Sequence, residues 1–329
     1  MANPKPSNYF EYIIRDADSY RAVLSGANME ISQLEPGRLS GRHVRLALPD
    51  GEFSYVETSL PLRGSGTFSN LWTLSVVLGC KTRSLQHGIE VHAGSLVIHR
   101  PGVEHDGVYG RNFKVVCISL RDKVFDKHIR RLSRQLRDAV RQPWSVFEPP
   151  ATLREEVIKH FAEAAGIIQS DRRVRNSPLA VATLEEELVC DFLEAVAQQF
   201  PTCSSRTDQR AAAMARQIDR AVRKSQPVSS AAGLCVACEV PRRTLNRAFQ
   251  NMMGMGPVTY GRRVRLNDAR RALLRNRARS TTVTHVALDQ GFWHLGRFAE
   301  QYKELFGESP HETLRGSDRS IRKDRTLQR

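Results

Sequence analysis

Residues 241–257 read PRRTLNRAFQNMMGMGP, and this stretch decides the fold of the C-terminal third. Pro241 suits the start of a helix, where its missing N–H is no loss. Gly254 and Gly256 mark its end. Between them Leu245, Ala248, Phe249 and Met252 recur at helical spacing and make one apolar stripe. The other side carries Arg242, Arg243, Thr244, Asn246, Arg247 and Gln250. Arginine pairs bidentately with guanine, and asparagine or glutamine with adenine, in the major groove of DNA. The pattern predicts a recognition helix over 241–253, preceded by a supporting helix over 229–236 and a turn at 238–240.

A second unit of the same kind follows. Thr282–Gln290 is the expected supporting helix, Gly291-Phe292 the turn, and His294–Phe306 the second recognition helix. Leu295, Phe298, Tyr302, Leu305 and Phe306 are expected to face inward; Trp293, His294, Gly296, Arg297, Glu300 and Gln301 face out. This face is less basic, so it is expected to hold phosphates more than bases. One long helix from Pro257 to Asn276 joins the units. At about 1.5 Å per residue it spans about 30 Å, close to the ~34 Å of one DNA turn. The two recognition helices are therefore expected in successive major grooves. Arg262, Arg263, Arg265, Arg270, Arg271, Arg275, Arg277 and Arg279 crowd this helix and its exit, with Asp268 the one acid among them. Counterion release from phosphate is the favoured use of that charge, with Arg262 and Arg263 as phosphate holders.

The charge distribution agrees. Net charge is +15, yet residues 206–329 hold 25 basic against 11 acidic groups and residues 1–205 hold 25 against 24. A basic module for a polyanion is thus joined to a nearly neutral one.

The stretch from Arg242 to Phe249, then Gly254, Gly256-Pro257, Tyr260, Arg265-Leu266, Ala269 and Leu273-Leu274, resembles the AraC/XylS signature. So do Ala287 to Phe292, Phe298 to Lys303 and Phe306 to Pro310. The likeness covers about Ile218 to Arg315, and Gly291 to Gly296 looks most like the branch of ethanolamine-operon regulators. Pro241 and Gly296 stand where Ser is frequent, Tyr302 where Phe is usual, and Leu314 where Tyr is usual. Gly296 removes a hydroxyl that would contact phosphate. The resemblance implies a promoter-binding regulator, an activator working with RNA polymerase. It also implies an N-terminal β-domain, often cupin-like, that senses a ligand and forms homodimers.

The first 123 residues read as short β-branched strands such as Leu71–Leu78, Ser95–His99 and Lys114–Leu120, separated by Gly, Pro, Asn and Asp clusters. This predicts a sandwich or barrel. From 124 to 200 the period is helical, with Leu184, Leu188, Phe192 and Val196 on one face that could pack on its own domain or on a second chain. The expected architecture is α+β and two-domain. A cupin-like β-barrel sensor domain with added helices spans 1–200, a polar linker 201–210, an all-α double helix-turn-helix domain 211–316, and a basic tail 317–329.

Two effectors are expected as alternatives. Arg38 and Arg42 form an R-x-x-x-R that resembles the arginine pair with which PilZ domains bind cyclic di-GMP. Arg45, Ser59, Arg63, Gly64, Ser65 and Gly66 would complete a phosphate site, the 63–66 turn supplying backbone N–H groups. The competing effector is a small polar metabolite inside the β-domain near His99 and His105. Residues 94–105 resemble a degenerate second cupin motif. No H-x-H pair lies upstream, since His87 and His92 have the wrong spacing, so no metal is expected and no cofactor is required. No nucleophile–base pair is evident, and an enzyme is not expected. The six cysteines, at 80, 117, 190, 203, 235 and 238, are scattered as reduced thiols. The N-terminal residues lack the charge and apolar run of a signal peptide, and no stretch suits a membrane, so a cytoplasmic location is expected.

Overall fold

The computed structural model describes residues 8–24, 28–67, 70–198, 219–220, 241–275 and 281–315. The chain divides into two compact units, one of residues 1–31 and 40–206, the other of residues 32–39 and 207–329. The linker expected at 201–210, the supporting helix at 229–236, its turn, Arg277, Arg279 and the basic tail lie outside the described residues.

The first unit is built on two antiparallel sheets. Its strands are β1 (Tyr9–Ile14), β2 (Asn28–Gln33), β3 (Gly41–Ala47), β4 (Gly51–Thr58), β5 (Leu62–Thr67), β6 (Trp72–Gly79), β7 (Ser84–Gln86), β8 (Ile89–Val91), β9 (Leu96–His99), β10 (Glu104–Tyr109), β11 (Phe113–Leu120) and β12 (Trp144–Phe147). The larger sheet runs β1-β3-β4-β11-β6-β9-β12 and the smaller β2-β5-β10-β7-β8. Each sheet keeps free ends in its strand order, so the expected barrel is an open two-sheet sandwich.

Period-two alternation gives the large sheet two different faces. On β11, Val116, Ile118 and Leu120 enter the main apolar core, while Val115, Cys117 and Ser119 line an interior cavity. On β3, Val44 and Leu46 take the first role and His43 and Arg45 the second. The core face is covered by helices α4 (Ala151–Ser170) and α6 (Pro178–Ala197), which follow α1 (Ala17–Val23), α2 (Asp122–Ile129) and α3 (Arg134–Val140), with α5 (Arg172–Asn176) between them. Ser177 caps α6 by accepting from the Ala180 N–H at 3.2 Å, with Pro178 in the first turn. Leu188, Phe192 and Val196 of α6 are wholly buried in this core. That face therefore packs on its own domain rather than awaiting a second chain. The other face of the large sheet meets the small one, where Val77, Val97, Phe113 and Val146 pack with Ile89 and Val91.

The described helices of the second unit are α7 (Arg242–Met253), α8 (Pro257–Arg275), α9 (Val283–Asp289) and α10 (Leu295–Phe306). Gly254 and Gly307 end α7 and α10 in the left-handed conformation, at φ 66° and 70°, which glycine adopts without strain. Leu266, Ala269 and Leu273 of α8 pack against Val286, Ala287, Phe298, Tyr302 and Phe306. Residues 32–39 join this unit: the Gln33 N–H donates to Asn267 Oδ1 at 2.9 Å, and its side-chain amide donates to the Leu305 carbonyl at 2.8 Å.

Candidate nucleic-acid interface and interior cavity

On α7 the burial pattern separates two faces. Leu245, Phe249, Met252 and Met253 are buried. Arg242, Arg243, Thr244, Asn246, Arg247 and Gln250 are all exposed on the same helix. Pro241 sits at the N-cap, one position before the first turn, and supplies no side-chain cap. At the second unit Thr282 caps α9, accepting from the His285 N–H at 3.1 Å, and Phe298, Tyr302, Leu305 and Phe306 bury the inner face of α10. His294, Gly296, Arg297 and Glu300 are exposed and Gln301 is half-buried. Leu295 departs from expectation: it is 40% exposed, beside Trp293 at 72%. The His294 N-cap starts the helix there, so residue 295 lies in the first turn, before the inward stripe begins.

The arginines of α8 do different work. Arg262 and Arg263 are half-buried; burial lowers the pKa of Arg263, against which the Glu35 and Glu304 carboxylates favour its charge. Arg270 is buried, donates to Glu308 Oε1 at 2.6 Å and lies 4.9 Å above the Phe306 ring. Arg271 pairs with Asp268 at 3.3 Å, and Arg265 lies 5.1 Å over Phe292. Beyond Asp268, the acids near these arginines come from tertiary neighbours, Glu308 for Arg270 and Glu35 and Glu304 for Arg263. Arg270 belongs to the packing of this unit and not to its basic surface.

The eight residues of the expected phosphate site are divided by the fold. Arg38 belongs to the second unit, where its side chain lies against Gly307. Arg42 donates to Glu57 Oε1 at 2.7 Å, and Arg45 is held by Glu52 across the β3–β4 ladder. Arg63 is fully buried, 2.5 Å from Asp106. Residues 63–66 are no turn: they form β5 and pair with β10, Gly64 opposite Gly107 and Ser65 opposite Asp106. Their backbone belongs to a sheet ladder, not to an anion loop. Ser59 Oγ accepts from the Ser40 N–H at 2.9 Å. An open groove of about 360 Å³ remains beside Arg42, lined also by Ser40, Ser59, Asn112 and Lys114.

The interior cavity, about 90 Å³, is walled by Tyr20, His43, Arg45, Glu52, Ser75, Gln86, His99, His105 and Tyr109 among others. Burial lowers the pKa of His43 and of His99 to about 4, so both rings are neutral at neutral pH. Burial also lowers His105 and raises Tyr109. His105 Nδ1 lies 3.2 Å from His99 Nε2, and its Nε2 lies 2.6 Å from the Tyr109 hydroxyl. His87, set aside on its spacing in the chain, comes to the same place. The His87-Gly88 turn has φ of 51° and 86°, the primed geometry of a tight hairpin between β7 and β8. It puts the His87 ring 5.4 and 5.5 Å from those of His99 and His105. The signal is invisible in sequence because the three histidines come from separate elements, the β7–β8 turn, β9 and β10.

Comparison with known proteins places the C-terminal region. Residues 234–316 match the helix-turn-helix domain family. A 73-residue stretch is 45% identical to the "Probable thc operon regulatory protein" of Rhodococcus erythropolis, covering 22% of each chain. A 79-residue stretch is 40% identical to the "XylDLEGF operon transcriptional activator" of Pseudomonas putida, covering 24% of this chain and 25% of that one. The chain thus matches about a quarter or less of the length of these relatives. Among solved structures, that of the AraC-like transcriptional activator CuxR aligns with 79% of this chain and 95% of its own, at 13% identity and a TM-score of 0.44. The C-terminal region is a helix-turn-helix module. More particularly, it is similar over stretches of 73 and 79 residues to these two operon regulators.

Proposed function

We propose that this protein is a ligand-controlled, sequence-specific transcription activator. The carrying observation is α7, with six polar side chains exposed and Leu245, Phe249, Met252 and Met253 buried. Arg243, Asn246 and Arg247 read base edges, Arg242, Thr244 and Gln250 flank them, and Arg262 and Arg263 hold phosphate. His294, Gly296, Arg297, Glu300 and Gln301 form the second, weaker contact. At about 1.5 Å per residue, the 19 residues of α8 span about 28 Å, which suits readers in successive grooves. The partners are promoter DNA and RNA polymerase, the protein acts as a homodimer, and its place is the cytoplasm. Among the described residues no helix is long and apolar enough to cross a membrane. Footprinting of the promoter beside its own gene tests the reading: a discrete protected site supports it, and uniform protection of all DNA overturns it.

The effector that the first unit suits best is a small polar metabolite seated in the cavity near His99 and His105. A second reading, cyclic di-GMP, is favoured by the groove beside Arg42, which is lined by that guanidinium, by Lys114 and by Ser40, Thr58 and Ser59. Calorimetry of the full chain with cyclic di-GMP separates the two. Heat abolished by Arg42→Ala supports the nucleotide, and no heat excludes it.

A further inference from the structure

We propose that His87, His99 and His105 form a binding site for one divalent transition-metal ion of the zinc type. Each residue offers one ring nitrogen, and the three nitrogens lie within 4.8 Å of one another. All three side chains are at most 7% exposed. Two nitrogens bound to one tetrahedral zinc stand about 3.3 Å apart, since each Zn–N bond is about 2.0–2.1 Å. His99 Nε2 and His105 Nδ1 already stand at 3.2 Å. The His87 donor lies within 4.8 Å of both and closes on them when the ion binds.

The surroundings orient the donors. With His105 Nδ1 turned to the ion, its Nε2–H donates to the Tyr109 hydroxyl at 2.6 Å, a contact that fixes the ring and its tautomer. Gly107 makes room for that contact, because a Cβ there would lie 2.8 Å from His105 Nε2. Trp144 stacks on His87 at 4.5 Å with a 1° tilt and holds that ring flat. The donor set is imidazole alone, and the neighbouring Asp106 is engaged by Arg63. Imidazole without carboxylate suits zinc and its neighbours rather than magnesium or calcium. His99 and His105 also wall the cavity, so the ion borders it and keeps a fourth position for water or another donor.

The test uses full-length protein stripped with a chelator and titrated with Zn²⁺ or Co²⁺. One equivalent per chain is expected, with the visible absorption of tetrahedral Co²⁺. His87→Ala and His99→Ala should each weaken uptake by about tenfold or more. His128→Ala should leave it unchanged, although His128 lies with Glu186 and Cys190 in a separate, more exposed group. Co²⁺ should also quench wild-type tryptophan fluorescence, and Trp144→Phe should remove most of the quenching. The quenching experiment stands even if a histidine variant fails to fold. Substoichiometric uptake, uptake unaltered in a folded His99→Ala variant, or quenching unaltered by Trp144→Phe would each overturn the assignment.

Discussion

The Arg63 guanidinium lies 2.5 Å from the Asp106 carboxylate, and neither side chain is more than 3% exposed. Arg63 also donates to the Gly64 carbonyl at 2.8 Å. A buried pair of this kind adds little over an apolar pair, but losing one partner leaves an uncompensated charge. Asp106→Ala should therefore destabilise the first unit by roughly 3–5 kcal/mol, while Arg63→Met/Asp106→Leu recovers much of that loss. Urea midpoints of the two variants check this. Equal, small losses in both would show that the pair is not structurally coupled.

Among the arginines of α8, Arg270 is expected to behave unlike Arg262. Arg270 binds Glu308, Glu308 accepts from the Thr313 hydroxyl at 2.6 Å, and Thr313 accepts from Tyr302 at 2.8 Å. Arg270→Ala should lower thermal stability by an amount equivalent to roughly 3 kcal/mol. Arg262→Ala should change stability by less than about 0.5 kcal/mol and weaken DNA binding. Calorimetric melting of both variants, with a salt titration of DNA affinity, separates the roles.

Stability should fall on mild acidification. His43 is buried between Tyr12 and Tyr20, near Arg45, and its pKa drops from 6.5 to about 4. As pH falls below 6.5 the unfolded chain takes up this proton and the folded chain does not. The contribution is present above pH 6.5 and is lost progressively down to about pH 4. His43→Gln should flatten the stability slope in this window by the equivalent of roughly 3 kcal/mol in total. Denaturation at pH 7.5, 6 and 5 (about these values) measures the slope, and identical slopes in the two proteins would contradict the assignment.

The full chain should bind its site as a dimer. Each chain offers two recognition helices, so the protected region should approach four successive major grooves. Sedimentation on saturated operator DNA reports the stoichiometry, and one chain per site would contradict it.

Local signals in the chain carried the C-terminal architecture well. The stripe Leu245, Phe249, Met252 and the stop at Gly254 are set by near neighbours, and the described helices start and stop within a residue of where the pattern puts them. Leu295 is exposed although apolar, because hydrophobicity alone does not locate a helix's first turn. The first unit hid more, because its contacts join strands far apart in sequence. Arg63 looks like a ligand contact until β10 brings Asp106 beside it, and the glycines at 64 and 66 look like a turn until they pair as β5. His87 meets His105 through the pairing of β7 with β10 in the small sheet, and His99 only where the large sheet packs on it.

The most direct test of sequence-specific binding compares Arg247→Ala with Arg263→Ala on operator and random DNA over a range of salt. Arg247, exposed on α7, should cost roughly 1–3 kcal/mol on the operator, little on random DNA, and relax specificity at one base pair. Arg263→Ala should weaken both DNAs alike and reduce the salt slope by about one. Equal losses on both DNAs from both variants would contradict base reading by α7.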